Sequence, residues 1–562
     1  MKILDSCLRR NDRKSPFQTF YETIIIWLGE KCNGFLNPRH KMSSLRIEKK
    51  TMMISFKKAT CTISERKKVW GIILLFSLGV MIVGLNSNLY LGDEITHYRF
   101  AKGIFTEGER ITFDPLFGRN YANQVNYLIP PLWHILLAFL WKIVGRISYP
   151  LAQVYHTIYY ALFLFFTYEL GKEIYGEKEG KFSMILVGTV PMIVSFGILF
   201  YVDVPLAALT TLTFFLILRR KHLFAGFGFG LMYFTKWSGV AFGAPFLLII
   251  LFLNYKDKFL IKILTFSLAS LMIILPDIYW REKHTSKEEY WIGDTQTTLK
   301  SFAFGVSGNI KGWVTPKQPP PKGFVEKISY GHNSTFLSIK DHIKYFGLSL
   351  LSLLMVYLFK RKFLKKDWLL WMPIFFYFLF FIFFFNINAD IRYLLPVSPF
   401  LCIIASKVIA FWDKKELKIL FLVICLVQFL SVLGYVYSQR RITPAIQEGI
   451  HYIKENTSED AIIIYSEYNL TEYTNRRVVW TSNFWRLEKV FWGDDELTKD
   501  LLVKNKVQYV LIKKAKIYDD KERRHLRGYP ISFIQRLSTS RFFELKFDNE
   551  ELGLWELKLK GG

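Results

Sequence analysis

Cysteine is scarce in this 562-residue chain, limited to Cys7, Cys32, Cys61, Cys402 and Cys425. Three lie near the N-terminus and two within apolar runs, so neither a disulfide framework nor a metal-ligand spacing is present. No glycine-rich phosphate loop occurs, and nucleotide binding is not indicated. No convincing internal repeat is visible. Acidic residues are few beside basic ones, 47 against 74, giving a formal charge of +27. That balance invites a nucleic-acid reading. The distribution excludes it, because Lys and Arg fall mostly in short loops between apolar segments, not within a soluble domain.

What the chain has in abundance is apolar sequence. Hydrophobic residues make up 51%, and several stretches lack charge for long enough to span a bilayer, which defines a polytopic membrane protein. In order, the runs are Val69–Asn88, Pro131–Val144, Leu151–Leu170, Phe182–Phe200, Val204–Leu218, Leu223–Phe234, Val240–Tyr255, Ile263–Tyr279, Tyr345–Phe359, Leu369–Phe385, Leu394–Phe411 and Ile419–Tyr437. Lys/Arg bias orients them. Arg66-Lys67-Lys68 puts the N-terminus on the cytoplasmic side and Asp93 outside. Arg219-Arg220-Lys221, Lys256 to Lys262, Lys360 to Lys366 and Lys414-Lys415 mark further inner loops. The alternation closes only if Pro131–Val144, about fourteen residues, is a re-entrant helix with Pro131 in its first turn. The expected fold is a polytopic α-helical membrane protein of about eleven spans plus that re-entrant helix, its C-terminus outside.

Three regions follow. Residues 1–68 are basic. Their stretch Leu4–Arg13 resembles the translation of a short repeat found between bacterial genes, which would move the start to Met42, Met52 or Met53; a disordered basic tail is the rival reading. Residues 69–437 hold the spans and two large outer loops, 89–130 and 282–343. The second loop contains Trp291, Trp313, Pro319-Pro320-Pro321 and Tyr330-Gly331-His332-Asn333. Loops this long are usually functional or disordered. Its aromatics suit a sugar or lipid site, or the membrane interface. Residues 438–562 read as a small extracytoplasmic α/β domain. Pro444–Asn456, with Thr443 as N-cap, and Asp494–Asn505 are its helices. Ala461–Tyr465, Val478–Trp480 and Val507–Ile512 are strands, and Phe542–Phe547 with Leu554–Leu559 form a closing hairpin. Three N-x-[ST] sequons, at Asn333, Asn456 and Asn469, fall outside by this topology.

Charged residues gather at the outer mouth of the apolar bundle. Asp93 and Glu94 follow the first span, and Asp203 opens the fourth. Lys236 and Arg392 fall on the same side, and Arg119 lies in the first outer loop. His97, Tyr393 and His332 are further candidates. A carboxylate pair at a membrane exit is costly unless used or solvated. It is therefore either a catalytic acid or a loop acid capping a helix, and the cations either serve a site or snorkel.

Gly92-Asp93-Glu94, Pro130-Pro131-Leu132, Asp203-Val204-Pro205, Thr235-Lys236-Trp237 and Arg392-Tyr393-Leu394-Leu395-Pro396 together resemble the GT-C glycosyltransferases. The branch is the one holding protein O-mannosyltransferases and lipid A aminoarabinose transferases. The motifs are short, and their order, spacing and common side carry the resemblance over roughly Val69–Tyr437. It implies an integral enzyme, in a bacterial inner membrane, that takes a sugar from a polyprenyl-phosphate donor to a lipid, glycan or protein acceptor. By the same resemblance Asp93 holds the family's catalytic position and Asp203 its second acidic one. Many relatives place Lys immediately before the Pro-Pro pair, where this chain has Ile129. The donor phosphate then needs another cation, with Lys236, Arg119 and Arg392 as candidates.

The chemistry follows from elementary considerations. A sugar phosphate already carries a good leaving group, so the acceptor is the partner that needs help. A carboxylate can take its proton as attack begins. Nearby anions stabilise the oxocarbenium-like sugar, and cations receive the departing phosphate. One base per transfer predicts inversion at the anomeric carbon. No cofactor is certain; a divalent cation held by Asp93, Glu94 and Asp203 is a candidate. The alternative function is a lipid or polysaccharide transporter or flippase, which would favour internal repeats and midplane charges.

Overall fold

A computed structural model describes residues 48–88, 92–108, 130–284, 339–360, 366–384, 391–466, 470–481, 484–518 and 528–558. Each apolar run coincides with helix, the form in which a chain satisfies its backbone polar groups without water. The helices of the first part are α1 (Glu48–Leu85), α2 (Gly92–Glu107), α3 (Leu132–Val144), α4 (Tyr149–Ile174), α5 (Glu177–Thr189), α6 (Pro191–Ile198) and α7 (Asp203–Leu218). They continue as α8 (His222–Thr235), α9 (Gly243–Asn254), α10 (Phe259–His284), α11 (Ile339–Lys360), α12 (Trp368–Phe384), α13 (Ser398–Ala410) and α14 (Lys415–Arg440). Short 3-10 segments, Trp237–Phe242 and Ile391–Val397, precede α9 and α13.

Among the described residues, 5 helices are long and apolar enough to cross a membrane, or 6 if the bent pair α5–α6 is one span. Other runs fold as shorter helices, including α3 and α7. The run Phe182–Phe200 is broken by 63° where Pro191 cannot continue the hydrogen-bond ladder of α5. Pro131 is the N-cap of α3, one step before the first turn expected for it, and Gly145 closes that helix at φ 77°.

The last long helix shows how the bundle meets its surroundings. Phe421, Cys425, Phe429, Leu433 and Val436 of α14 are buried at helical spacing, while Ile419, Val423, Ile424, Val427 and Leu430 face outward. Glycine allows α8 to approach α10 closely: a Cβ at Gly226 would collide with the Phe266 carbonyl oxygen. At the opposite end of the bundle from Asp203, the Asp367 carboxylate is buried against Lys407 Nζ at 2.8 and 2.9 Å. Tyr175 and Tyr357 donate their hydroxyls to the same carboxylate.

The C-terminal part is α/β. It comprises α15 (Pro444–Asn456), β1 (Ile462–Tyr465), α16 (Leu470–Thr474), β2 (Arg477–Trp480), α17 (Phe484–Trp492), α18 (Asp495–Lys504) and β3 (Tyr509–Lys513). Then follow β4 (Ile517–Tyr518), β5 (Tyr529–Pro530), α19 (Ile531–Thr539), β6 (Phe543–Asp548) and β7 (Leu552–Leu557). The main sheet has the order β2-β1-β3-β7-β6, with β1 parallel to β2 and β3, and β7 antiparallel to β3 and β6. Thr443 and Asp494 cap α15 and α18 by accepting from the amides of Ile446 and Leu497. Strand alternation divides the core between two faces. Ile463 and Tyr465 pack with Ile453 and Leu470 on one, and Ile462 and Ile464 pack with Leu487, Leu502 and Phe533 on the other. The helices α16, α17 and α19 and the short β4–β5 pair are additions to the elements expected from sequence.

Candidate active site

Asp93 and Glu94 lie in the first turn of α2. The Asp93 side chain is outside the described residues. Glu94 is fully buried and occupied: its Oε1 accepts from Arg440 Nη2 at 2.7 Å and from the Phe200 amide at 3.1 Å. Arg440, at the end of α14, also donates to the Asn88 carbonyl and to the Tyr149 hydroxyl. Glu94 therefore ties the start of α2 to the last long helix and to the segment entering α7. That segment carries the next aromatic, Tyr201.

Asp203 begins α7 and is 1% exposed. Its Oδ1 accepts from Lys236 Nζ at 2.6 Å, so the expected second acid and the expected phosphate cation form one buried ion pair. Its Oδ2 is buried without a hydrogen-bond partner among the described residues. Lys236 sits at the C-cap of α8, where the chain leaves helical geometry before the 3-10 segment. Its ammonium lies over the Tyr393 ring, 4.4 Å from the centroid. Arg392 lies between two rings, with its guanidinium carbon 5.2 Å from the Tyr201 centroid and 5.4 Å from that of Tyr393. Tyr377 of α12 donates to the Tyr393 carbonyl and holds this turn in place.

His97 packs edge-on against Tyr201, ring centroids 6.0 Å apart. Its Nδ1 is 2.9 Å from Nε2 of His134 on α3, and both histidines are buried. A continuous set thus runs from His134 through His97, Tyr201, Arg392 and Tyr393 to Lys236 and Asp203. Sequence reasoning missed His134 and Tyr201. The only available signal was their adjacency to motifs already chosen, in Pro131-Leu132-Trp133-His134 and Tyr201-Val202-Asp203. Arg119, His332 and the sequons at Asn333 and Asn469 lie outside the described residues. Among the described residues no group of three His, Cys, Asp or Glu converges on a metal position. Of the three oxygen ligands offered, Glu94 pairs with Arg440 and Asp203 with Lys236, and the Asp93 side chain lies outside the described residues.

Membrane helices joined to an α/β unit, with buried charged and aromatic side chains at the junction end, fit the architecture that the resemblance to GT-C glycosyltransferases implies. Residues 129–280 match the family described as dolichyl-phosphate-mannose-protein mannosyltransferase, and residues 329–469 match the Alg9-like mannosyltransferase family. The chain is a membrane glycosyltransferase of the GT-C superfamily. The fold is similar to that of ArnT from Cupriavidus metallidurans bound to undecaprenyl phosphate, with 12% identity, TM-score 0.55, and coverage of 86% of this chain and 98% of that one. The apo state of the same ArnT gives a TM-score of 0.57 at 12% identity, covering 86% of this chain and 97% of that one. An oligosaccharyltransferase from Archaeoglobus fulgidus in the apo form gives a TM-score of 0.51 at 15% identity, covering 79% of this chain and 69% of that one. No curated protein matches the chain by sequence comparison.

Proposed function

We propose that this glycosyltransferase moves a sugar from a polyprenyl-phosphate donor to an acceptor at the outer membrane surface. In this reading Lys236 and Arg392 receive the donor phosphate and Asp93 takes the acceptor proton. The observation that carries it is the pair of cations sharing the Tyr393 ring. A phosphate offers several acceptor oxygens and can bridge an ammonium and a guanidinium held this close. Asp203 fixes the ammonium position through Oδ1. Glu94 is a positioning residue, setting the segment that presents Tyr201 to Arg392. The ArnT neighbour was solved with undecaprenyl phosphate, which supports a lipid-linked donor. Both family matches name mannosyltransferases, which makes mannose the first sugar to test.

The topology belongs to the same reading: about eleven spans, a re-entrant α3, a cytoplasmic N-terminus and an outer C-terminal domain. The end of α4 meets the inner loop assigned at Lys360 to Lys366, since Lys366 donates to the Ile174 carbonyl and Tyr175 to Asp367. That meeting supports a common side for them. A bacterial inner membrane and inversion at the anomeric carbon complete the proposal.

The test is donor turnover. Membranes carrying the chain, supplied with radiolabelled polyprenyl-phosphate mannose, should move label into a lipid, glycan or protein fraction. Lys236→Ala and Arg392→Ala should each raise the apparent donor KM about ten- to a hundredfold, the worth of one hydrogen bond to a charged group. Unchanged donor KM in both variants would refute the phosphate assignment, with Arg119 the next cation to test.

A further inference from the structure

The C-terminal unit holds a cleft that the transfer chemistry above does not use. Strand β1 is followed by α16, whose Leu470 packs on the Ile463 and Tyr465 face. Strand β3 leads through β4 and β5 to α19, whose Phe533 and Leu537 pack on the opposite face. The sheet order β2-β1-β3 therefore reverses direction between β1 and β3, which are parallel neighbours. In open α/β sheets the crevice outside the carboxyl ends of two such strands is where ligands bind.

A cleft of about 200 Å³ opens at that point, and Tyr465 and Lys513, the last residues of β1 and β3, line it. Its other wall comes from Arg441 just beyond α14, Ile446 and Ile450 of α15, and Tyr473 of α16. The lining mixes apolar and polar side chains, and it sits where the last long helix meets the α/β unit. Arg440, also in the lining, is committed to Glu94. Arg441 is exposed and makes no ion pair among the described residues; Glu551 is the lining carboxylate. The volume far exceeds the roughly 10–15 Å³ that one water needs. It falls short of the roughly 300–1,000 Å³ of a pocket for a drug-sized ligand. One headgroup fits these bounds: a single sugar with a phosphate for Arg441, and tyrosine rings and aliphatic side chains against its apolar faces.

We propose that this cleft at the β1/β3 carboxyl edge binds an anionic sugar-phosphate headgroup of the acceptor at the membrane surface. Its service to the acceptor rests on the proposed transfer reaction. The binding itself does not.

The probe is mannose 6-phosphate, titrated calorimetrically into the full chain in detergent, with mannose as the neutral control. A Lys236→Ala, Arg392→Ala background removes the phosphate position assigned above. In that background mannose 6-phosphate should still bind and mannose should not. Adding Arg441→Glu should weaken binding at least tenfold, and Arg441→Lys should retain it. Loss of binding in the background alone, or equal binding by Arg441→Glu, overturns the proposal. If the background does not fold, Arg441→Glu in the otherwise native chain decides, by losing or keeping one of two binding steps. In phosphatidylcholine nanodiscs, competition by added phosphatidylglycerol would identify a lipid phosphate as the ligand. Absence of competition would identify a glycan phosphate. A chain that binds here yet transfers no sugar refutes the transfer reading and leaves the cleft standing.

Discussion

Arg440 and Glu94 are 346 residues apart in sequence, yet their side chains meet at 2.7 Å with exposures of 1% and 0%. The pair joins the end of the last long helix to the first turn of α2, and through the Phe200 amide to the entry of α7. A buried pair stripped of one partner leaves an uncompensated charge, which typically costs about 3–5 kcal/mol. Arg440→Ala should lose stability on that scale. Glu94→Gln should lose less, because a Gln oxygen still accepts from Phe200 and Arg440 keeps the Asn88 carbonyl. Thermal unfolding of the purified variants in detergent measures both. An Arg440→Ala protein melting with the wild type would show the pair to be dispensable.

A second link docks the α/β unit on α2. Glu472 of α16 accepts from Arg99 at 2.7 Å and from Lys102 at 3.3 Å. Burial pushes the Glu472 carboxyl up, but Arg99 and then Lys102 outweigh it and hold it below its ordinary value of 4.5. A depressed carboxylate pKa adds stability that is complete above the unfolded value and disappears as pH falls through the folded one. Hydrogen exchange in α16, corrected for its intrinsic pH dependence, should stay flat from neutral pH down to about 5 and rise below about 4. Glu472→Gln should show the fast exchange already at neutral pH. A profile that is the same for wild type and variant would mean that other contacts hold the junction.

At the far end of the bundle, Asp367 and Lys407 are 2% and 4% exposed, and the carboxylate also receives two tyrosine hydroxyls. No element of the proposed chemistry needs them, so their role is structural. Lys407→Met alone should destabilise by about 3–5 kcal/mol, while Asp367→Leu with Lys407→Met should recover much of the loss. Donor turnover per folded molecule should be unchanged in the double variant. A double variant less stable than either single one would show the pair to be worth more than its desolvation cost.

The positions of the helices were legible because uncharged runs leave a chain no other way to satisfy its backbone in a bilayer. The strands were legible from short β-branched stretches such as Ile462–Tyr465 and Tyr509–Lys513. Two features were not. Hydropathy does not encode span length once helices pack inside a bundle: α7, expected as a full span, is shorter than a simple crossing requires, whereas α3 already read as too short to cross. Spacing does not encode which charges pair, so the Asp93-Glu94 pair at the membrane exit gave no sign that Glu94 would meet Arg440 across the molecule. Tyr201 was invisible for the same reason: its value comes from Arg392, nearly two hundred residues away. By contrast, Asp203, Lys236, Arg392 and Tyr393 were chosen for lying on one side, and the fold gathers them around one ring.

The last prediction separates the two candidate bases. Asp93 lies in the first turn of α2 beside Glu94, whose carboxylate is already committed to Arg440 and the Phe200 amide. Asp203 is committed at Oδ1 to Lys236, a cation assigned to the donor phosphate. Removing a base and displacing a phosphate cation leave different kinetic traces. Loss of a group that acts only in the transition state lowers kcat at constant KM, whereas loss of ground-state binding raises KM. Asp93→Asn should therefore lower single-turnover transfer by roughly two to four orders of magnitude, the usual worth of general-base catalysis, with donor KM unchanged. Asp203→Asn frees the Lys236 ammonium from its anchor and should raise donor KM, with a smaller fall in rate. Glu94→Gln should reduce rate only in proportion to the protein left unfolded. The assay uses a polyprenyl-phosphate sugar, purified folded protein and the acceptor fraction labelled in membranes. If Asp93→Asn transfers at the wild-type rate while Asp203→Asn is dead with normal donor KM, the base is Asp203. Its buried Oδ2, which has no hydrogen-bond partner among the described residues, would then be the atom that takes the proton.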